Sequence, residues 1–179
     1  VIETCSRILH ADPAARLLLK AKQLGSDELR ASLLARFAGY SIGPERLELE
    51  GAGSYAEYLD TYARIDIALD PFPYTGGTTT AESLWMGVPV VTLKGDRFIA
   101  HQGESLLHAA GLSEMIAADK EAYVQLALNF AADRPALAAM RAGLRARVAA
   151  SALFDAPRYA RALEAAWRGM WAEWCERQR

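Results

Sequence analysis

Cysteine is scarce in this sequence. Cys5 and Cys175 stand near opposite ends of the chain, too few for a disulfide framework and without metal-ligand spacing. That pair reads as two free thiols in a reducing compartment, and the expected location is cytoplasmic. A basic excess is also missing. The formal net charge of −2 excludes the electrostatic footprint of a nucleic-acid or anionic-membrane binder. No apolar run approaches the roughly 18 residues that a membrane span requires. The opening "VIETCSRILH" lacks the basic n-region and long apolar core of a secretory signal. There are three histidines, His10, His101 and His108, and no internal repeat or low-complexity tract.

What remains has the balance of an ordinary globular domain. Of 179 residues, 52% are hydrophobic and 23% charged, enough for one sizeable core. "ARLLLKA" (Ala15 to Ala21), "RLELEG", "DIALD", "PVVTL" and "MIAA" read as strands, being short apolar or alternating runs bounded by turn residues. Helical spacing lies between them: Ile2, Cys5, Ile8 and Leu9; then Leu29, Leu33, Leu34 and Phe37 behind the capping residues Ser26 and Asp27. "SYAEYLDTYARI" is a third helical stretch. Strands alternating with helices predict βαβ units, hence an α/β fold with a mostly parallel sheet of four or five strands. From about residue 120 to 179 the chain reads as three helices, with new starts at Pro135 and at Asp155 to Pro157. Trp167, Met170, Trp171 and Trp174 recur at spacings of three and four, an apolar stripe that reads as a packing face, with a surface outside this chain as one option, rather than as a ligand platform. His10 and His108 fall within helical patterns and read as structural.

The densest chemistry is "DPFPYTGGTTTAESLWMGVPVV", Asp70 to Val91. Gly76 and Gly77 precede Thr78, Thr79 and Thr80 at a helix start, on the carboxyl side of the "IALD" strand, where ligands bind in open parallel sheets. Glycines admit a ligand close to the backbone, and helix-start N–H groups with threonine hydroxyls can donate to phosphate oxygens. Glu82, one turn on, suits a ribose diol better than a phosphate. A second reading stands beside this one: Thr78 caps the helix and the glycines simply make the turn. The segment is neither a Walker A loop, since no Lys follows the glycines, nor the three-glycine dinucleotide fingerprint.

"RIDIALDPFPYTGGTTTAESLWMGVPVVTLKGDRF", with "SLLHAAGLSEMIA" behind it, resembles the C-terminal nucleotide-binding domain of O-GlcNAc transferases, the bacterial members more than the animal ones. "RLLLK" before it and "SALFDAPRYARALEAAWRGMW" after it extend the likeness over nearly the whole chain. The resemblance implies a Rossmann-like α/β domain, the C-terminal half of a glycosyltransferase-B fold, with residues 1–179 forming a single nucleotide-sugar-binding domain and a helical C-terminal region. It implies that UDP-sugar is the donor substrate and an acceptor protein the other partner, GlcNAc passing to a Ser or Thr hydroxyl. Neither a cofactor nor a metal is implied, and no Asp-x-Asp pair is present. Gly76, Gly77, Thr78, Thr79 and Thr80 would hold the diphosphate, and Glu82 the ribose. The animal members carry His at the place of Gly77 and Asp at that of Glu82, so more of the phosphate contact here falls to backbone N–H groups and hydroxyls. Tyr58 stands where the animal enzymes have a His near the uracil. Its ring can stack on the base or serve as a half-buried core residue. His101 occupies a place where the family often has Arg, which makes any cation role there pH-dependent. No residue of this chain is assigned as a catalytic base.

The family also has an upstream catalytic domain with tetratricopeptide repeats, and, just before the place of Val1, a central strand of this sheet and a Lys that contacts the diphosphate. By itself this chain is therefore expected to bind UDP weakly and to transfer no sugar. The competing class is a non-catalytic module that binds UDP or phosphate, or one that only binds protein.

Overall fold

A computed structural model describes residues 1–178. The elements run α1 (Ile2–Ala11), β1 (Leu17–Lys20), α2 (Asp27–Ala38), β2 (Leu47–Glu50), α3 (Tyr55–Thr61), β3 (Ala68–Leu69), α4 (Thr78–Trp85) and β4 (Val90–Leu93). Then come α5 (Gln102–Ala109), β5 (Ile116–Ala117), α6 (Lys120–Ala132), α7 (Arg134–Ala149) and α8 (Ala156–Arg177). Every strand and helix expected from the sequence is present, and every strand pairing is parallel. Among the described residues the ladder is divided. β1 pairs with β2, and β3, β4 and β5 pair in that order, but β1 and β3 share no hydrogen bonds. Leu69 of β3 still packs into the apolar cluster of Cys5, Leu9, Phe37 and Leu47, to which Leu17 and Leu19 of β1 also belong, so side chains join the two sheets.

Helices cover both faces. Successive β4 residues point to opposite sides, as the period of two requires. Val90 enters a core with Leu84 of α4, Leu107 of α5 and Leu144 and Val148 of α7. Val91 enters another with Ile8 of α1 and Tyr123, Val124 and Ala127 of α6. α4 and α5 end alike: Gly87 and Gly111 take positive φ, and Val88 and Leu112 donate back to the carbonyls of Ser83 and Leu107. This is the Schellman geometry, which glycine adopts without the steric cost of a Cβ. It turns the chain sharply into the next buried segment.

α8 is the helix least engaged with the core. No residue of it is fully buried, and Trp167, Met170, Trp171 and Trp174 are all more than half exposed. The stripe predicted to pack meets no surface of the described residues; Trp171 and Trp174 stack on each other instead, ring centroids 5.1 Å apart. No helix is long and apolar enough to cross a membrane among the described residues.

The contrast between α4 and α8 is testable by urea denaturation. Leu84→Ala, at a side chain with no solvent exposure, is expected to cost about 2–5 kcal/mol. Trp171→Ala should stay within about 0.5 kcal/mol of the parent sequence. Comparable losses from the two would contradict the assignment of the core.

Candidate functional site

The glycine-threonine turn lies where the sequence predicts. β3 ends at Leu69, and the loop Asp70 to Gly77, with a cis Phe72–Pro73 bond, delivers the chain to α4 at the carboxyl edge of the sheet. Gly77 is the N-cap of α4, and no side chain caps it. Thr78 is the first helical residue, so the reading that makes it the cap does not describe this helix. Five other helices are capped by side chains, those of Ser26, Ser54, Asp119, Asp133 and Asp155. In α4 the N–H groups of Gly77, Thr78 and Thr79 have no partner among the described residues, while those of Thr80 and Ala81 turn back to the Gly77 carbonyl. Three donors and the positive end of a helix dipole thus converge at one point.

Packing explains the first glycine. A Cβ on Gly76 would lie 2.5 Å from Thr80 Oγ1 and 2.7 Å from Thr79 Oγ1, so the hydroxyls close over a position that admits no side chain. Gly77 is looser, with Gln102 Oε1 the nearest neighbour of a hypothetical Cβ at 3.2 Å. Gln102 opens α5, whose N-terminus also lacks a side-chain cap. The start of α5 thus lies beside the turn, its Gly103 N–H held by Thr75 Oγ1.

α3 supplies the second wall. It is started by a capping box, in which Ser54 Oγ accepts from the Glu57 N–H while the Glu57 carboxylate accepts from the Ser54 N–H. Its tyrosines reach across to α4. Tyr55 donates to Glu82 Oε1 at 3.1 Å, and Tyr58 donates to Glu82 Oε2 at 3.0 Å. The Tyr62 hydroxyl lies 2.5 Å from that of Tyr58 and 3.2 Å from the Thr79 carbonyl. Burial, with Tyr62 and the Glu82 carboxylate beside it, pushes the Tyr58 phenol far above its ordinary range. It remains a neutral hydrogen-bond donor at any physiological pH. Tyr58 is half-buried and belongs to the wall of the turn rather than to an apolar core.

His101 is the N-cap of α5, with Nδ1 2.6 Å from Glu104 Oε2; Lys94 Nζ sits 3.2 Å from the other oxygen. The His101 bond, with Lys94, holds the Glu104 carboxyl below its usual range. His10 and His108 are exposed, bonded to the Tyr40 carbonyl and to Ser113, and take no part in the turn. Asp66 pairs with Arg141 at 2.8 Å. No group of three His, Cys, Asp or Glu side chains is placed to hold a metal ion among the described residues.

Of the residues that sequence reasoning singled out, the fold gathers Gly76, Gly77, Thr78, Thr79, Glu82, Tyr58 and His101 at this edge, while Thr80 is buried beneath it, 3% exposed. That reasoning missed Tyr55 and Tyr62, although the spacing of 55, 58 and 62 puts all three tyrosines on one helical face. It also missed the buried layer beneath the turn. Asp70 is 4% exposed and accepts from Gly76 N–H and Thr92 Oγ1, each at 2.6 Å. Desolvation, outweighing those two bonds, raises its carboxyl above the ordinary Asp value.

The family model described as glycosyl transferase family 41 matches residues 1–163. The chain belongs to glycosyl transferase family 41. A rice relative described as a probable UDP-N-acetylglucosamine–peptide N-acetylglucosaminyltransferase SPINDLY is 39% identical over 177 residues, 98% of this chain and 19% of the relative. The UDP-N-acetylglucosamine–peptide N-acetylglucosaminyltransferase of Caenorhabditis elegans is 28% identical over 166 residues, 92% of this chain and 14% of its own length. A K341M mutant of the Thermobaculum terrenum O-GlcNAc transferase superposes with a TM-score of 0.92 at 37% identity, over 99% of this chain and 34% of that one. The α/β architecture is therefore that of a family 41 glycosyltransferase portion, and it spans about a fifth of the first of these relatives.

Burial of Asp70 has a pH signature. A carboxyl whose folded pKa is raised stabilises fully below its unfolded pKa, near 3.9, and that contribution is lost as pH rises through the folded value. Asp70→Asn does not titrate. Its stability relative to the parent sequence should rise as pH increases above about 4 and then level off. Urea titrations at several pH values read this directly, and a relative stability that falls with pH would reverse the assigned cause.

Proposed function

We propose that the parent protein is a glycosyltransferase that moves a sugar, GlcNAc by the names of the relatives, from UDP to a Ser or Thr hydroxyl of an acceptor protein. This chain supplies the donor half. The observation that carries the reading is the uncapped start of α4: three unpaired N–H groups flanked by threonine hydroxyls, on the carboxyl edge of a parallel sheet. In this reading the diphosphate sits on Gly76 to Thr80. As the sugar leaves, charge builds on UDP, and donors already aimed at it stabilise that charge without reorganising. The same donors serve in place of a divalent cation.

Glu82 takes the ribose. Each of its oxygens already accepts one phenol, from Tyr55 and Tyr58, and each keeps a lone pair for a sugar hydroxyl. The Tyr58 hydroxyl is anchored to Glu82, which sets its ring plane for stacking on the base. His101 adds positive charge at the second helix start when protonated, oriented by Glu104. The acceptor and the opposite wall of the cleft come from the remainder of the parent protein, an upstream domain with repeats. Positioning across such a cleft can contribute roughly 7–11 kcal/mol to a transfer step. A cytoplasmic setting suits the two free thiols.

Calorimetry with the full-length parent protein tests the donor site. UDP should bind, and Thr78→Ala and Thr79→Ala should each weaken it about tenfold or more, the loss of a hydrogen bond to a charged group at ~1.5 kcal/mol or above. Affinity untouched by both substitutions would reduce the turn to a structural feature. EDTA should leave sugar transfer intact, and a strict need for Mn²⁺ or Mg²⁺ would contradict the role given to the backbone donors.

A further inference from the structure

We propose that Asp70 is a positioning residue of the donor site: its buried carboxylate holds the backbone at Gly76 and so sets the three free N–H groups of α4 in the shape that receives a diphosphate. The proposal rests on the reading of the turn as the diphosphate seat.

Asp70 is the first residue beyond β3, and every polar group it has is engaged. Its N–H donates to the Val91 carbonyl of β4 at 2.9 Å. Its carbonyl accepts from the Tyr123 hydroxyl of α6 at 3.0 Å. One carboxylate oxygen accepts from Gly76 N–H, the other from the Thr92 hydroxyl, both at 2.6 Å. The residue is thus fixed to the sheet and to α6, and what it holds in turn is the loop. No cation pairs with it among the described residues. A buried carboxylate without a cation is costly, so its retention at the foot of the turn calls for a task that its geometry performs.

The surroundings are shaped to the carboxylate. A Cβ on Gly76 would approach Asp70 Oδ1 to 3.1 Å, and one on Gly103 would collide with Asp70 Oδ2 and Thr92 Oγ1. The group therefore occupies a slot between two glycines, one leading into α4 and one in the first turn of α5. Thr75, with no solvent exposure, closes the layer: its Oγ1 accepts from Gly103 N–H at 3.1 Å and donates to the Ile99 carbonyl at 3.2 Å. Asp70 thus ties the lead into α4 to the strand end by a hydrogen bond and abuts the first turn of α5, which Thr75 holds. Asp70 lies beneath the loop and reaches the ligand only through Gly76.

The test uses the full-length parent protein, with UDP and uridine as probes. Asp70→Ala should raise the Kd for UDP at least tenfold and raise KM for the UDP-sugar more than it lowers kcat. Uridine affinity should stay within twofold, because the nucleoside contacts α3 and Glu82. Asp70→Asn keeps an oxygen for Gly76 N–H and an amide for Thr92, so UDP should bind within threefold of wild type or more tightly. Gly103→Ala inserts a methyl group into the slot from the α5 side and should repeat the selective loss for UDP. It also decides the matter if Asp70→Ala fails to fold. The proposal is overturned if a folded Asp70→Ala, or Gly103→Ala with wild-type melting, binds UDP within threefold of wild type. It is equally overturned if Asp70→Asn is as weak as Asp70→Ala, or if uridine and UDP weaken together. Should the wild type bind no UDP, or Thr79→Ala bind it unchanged, the donor-site reading itself fails and this proposal falls with it. Loss in Thr79→Ala but not in Asp70→Ala removes Asp70 alone.

Discussion

The parallel pairing of β3 with β4 is the constraint from which the site follows. It is short: Ala68 faces Val90 and Leu69 faces Val91, with the N–H groups of Ala68 and Asp70 donating to the carbonyls of Pro89 and Val91. That register leaves both strands at one edge of the sheet, so the loops leading to α4 and α5 emerge side by side. It also brings Asp70 beside Thr92. A shift by one residue would exchange Val90 and Val91 between the two cores they fill and break both the polar layer and the packing. Function and stability therefore depend on the same few hydrogen bonds.

The start of α4 is poorly chosen for stability alone. A Ser, Asp or Asn at position 77 would be expected to add a few tenths of a kcal/mol over Gly through capping, as side chains cap five other helices here. Three consecutive β-branched threonines in the first turn are weak helix formers as well. The helix is held instead by its far end, where Leu84 and Val88 are fully buried around the Gly87 turn. Its N-terminus is thus free to keep unpaired donors. A strong anchor at one end of a helix permits an unsatisfied, ligand-directed other end.

Much of this was legible in the sequence because the elements are punctuated. Pro135, and Asp155 with Pro157, mark helix starts by proline geometry and capping, and both fall as read; Asp133 caps the first of them. "DIALD" was harder: Asp66 turns out to Arg141, and the strand shrinks to Ala68–Leu69. The Gly-Thr turn announced itself by composition, and the family likeness attached it to UDP. The layer beneath did not, because Asp70, Thr75, Thr92 and Gly103 are unremarkable residues separated by up to 33 positions. Only the strand register makes them neighbours. The division between β1 and β3 was equally hidden, since hydrophobic pattern predicts strands but not which edges meet. The tryptophan stripe left its partner open for a different reason. Periodicity identifies an apolar face, and it carries no information on where the covering surface resides.

That stripe has a consequence for spectroscopy. Three of the four indoles lie on α8, outside the apolar clusters, and the fourth, Trp85, closes α4 against Phe154 and the Arg145 guanidinium. Intrinsic emission from this domain is dominated by a helix that takes little part in its cooperative core. Fluorescence will report fraying or covering of α8, whereas far-ultraviolet dichroism follows the domain as a whole. The separation makes the indoles of α8 a built-in probe for whatever surface comes to lie against that helix.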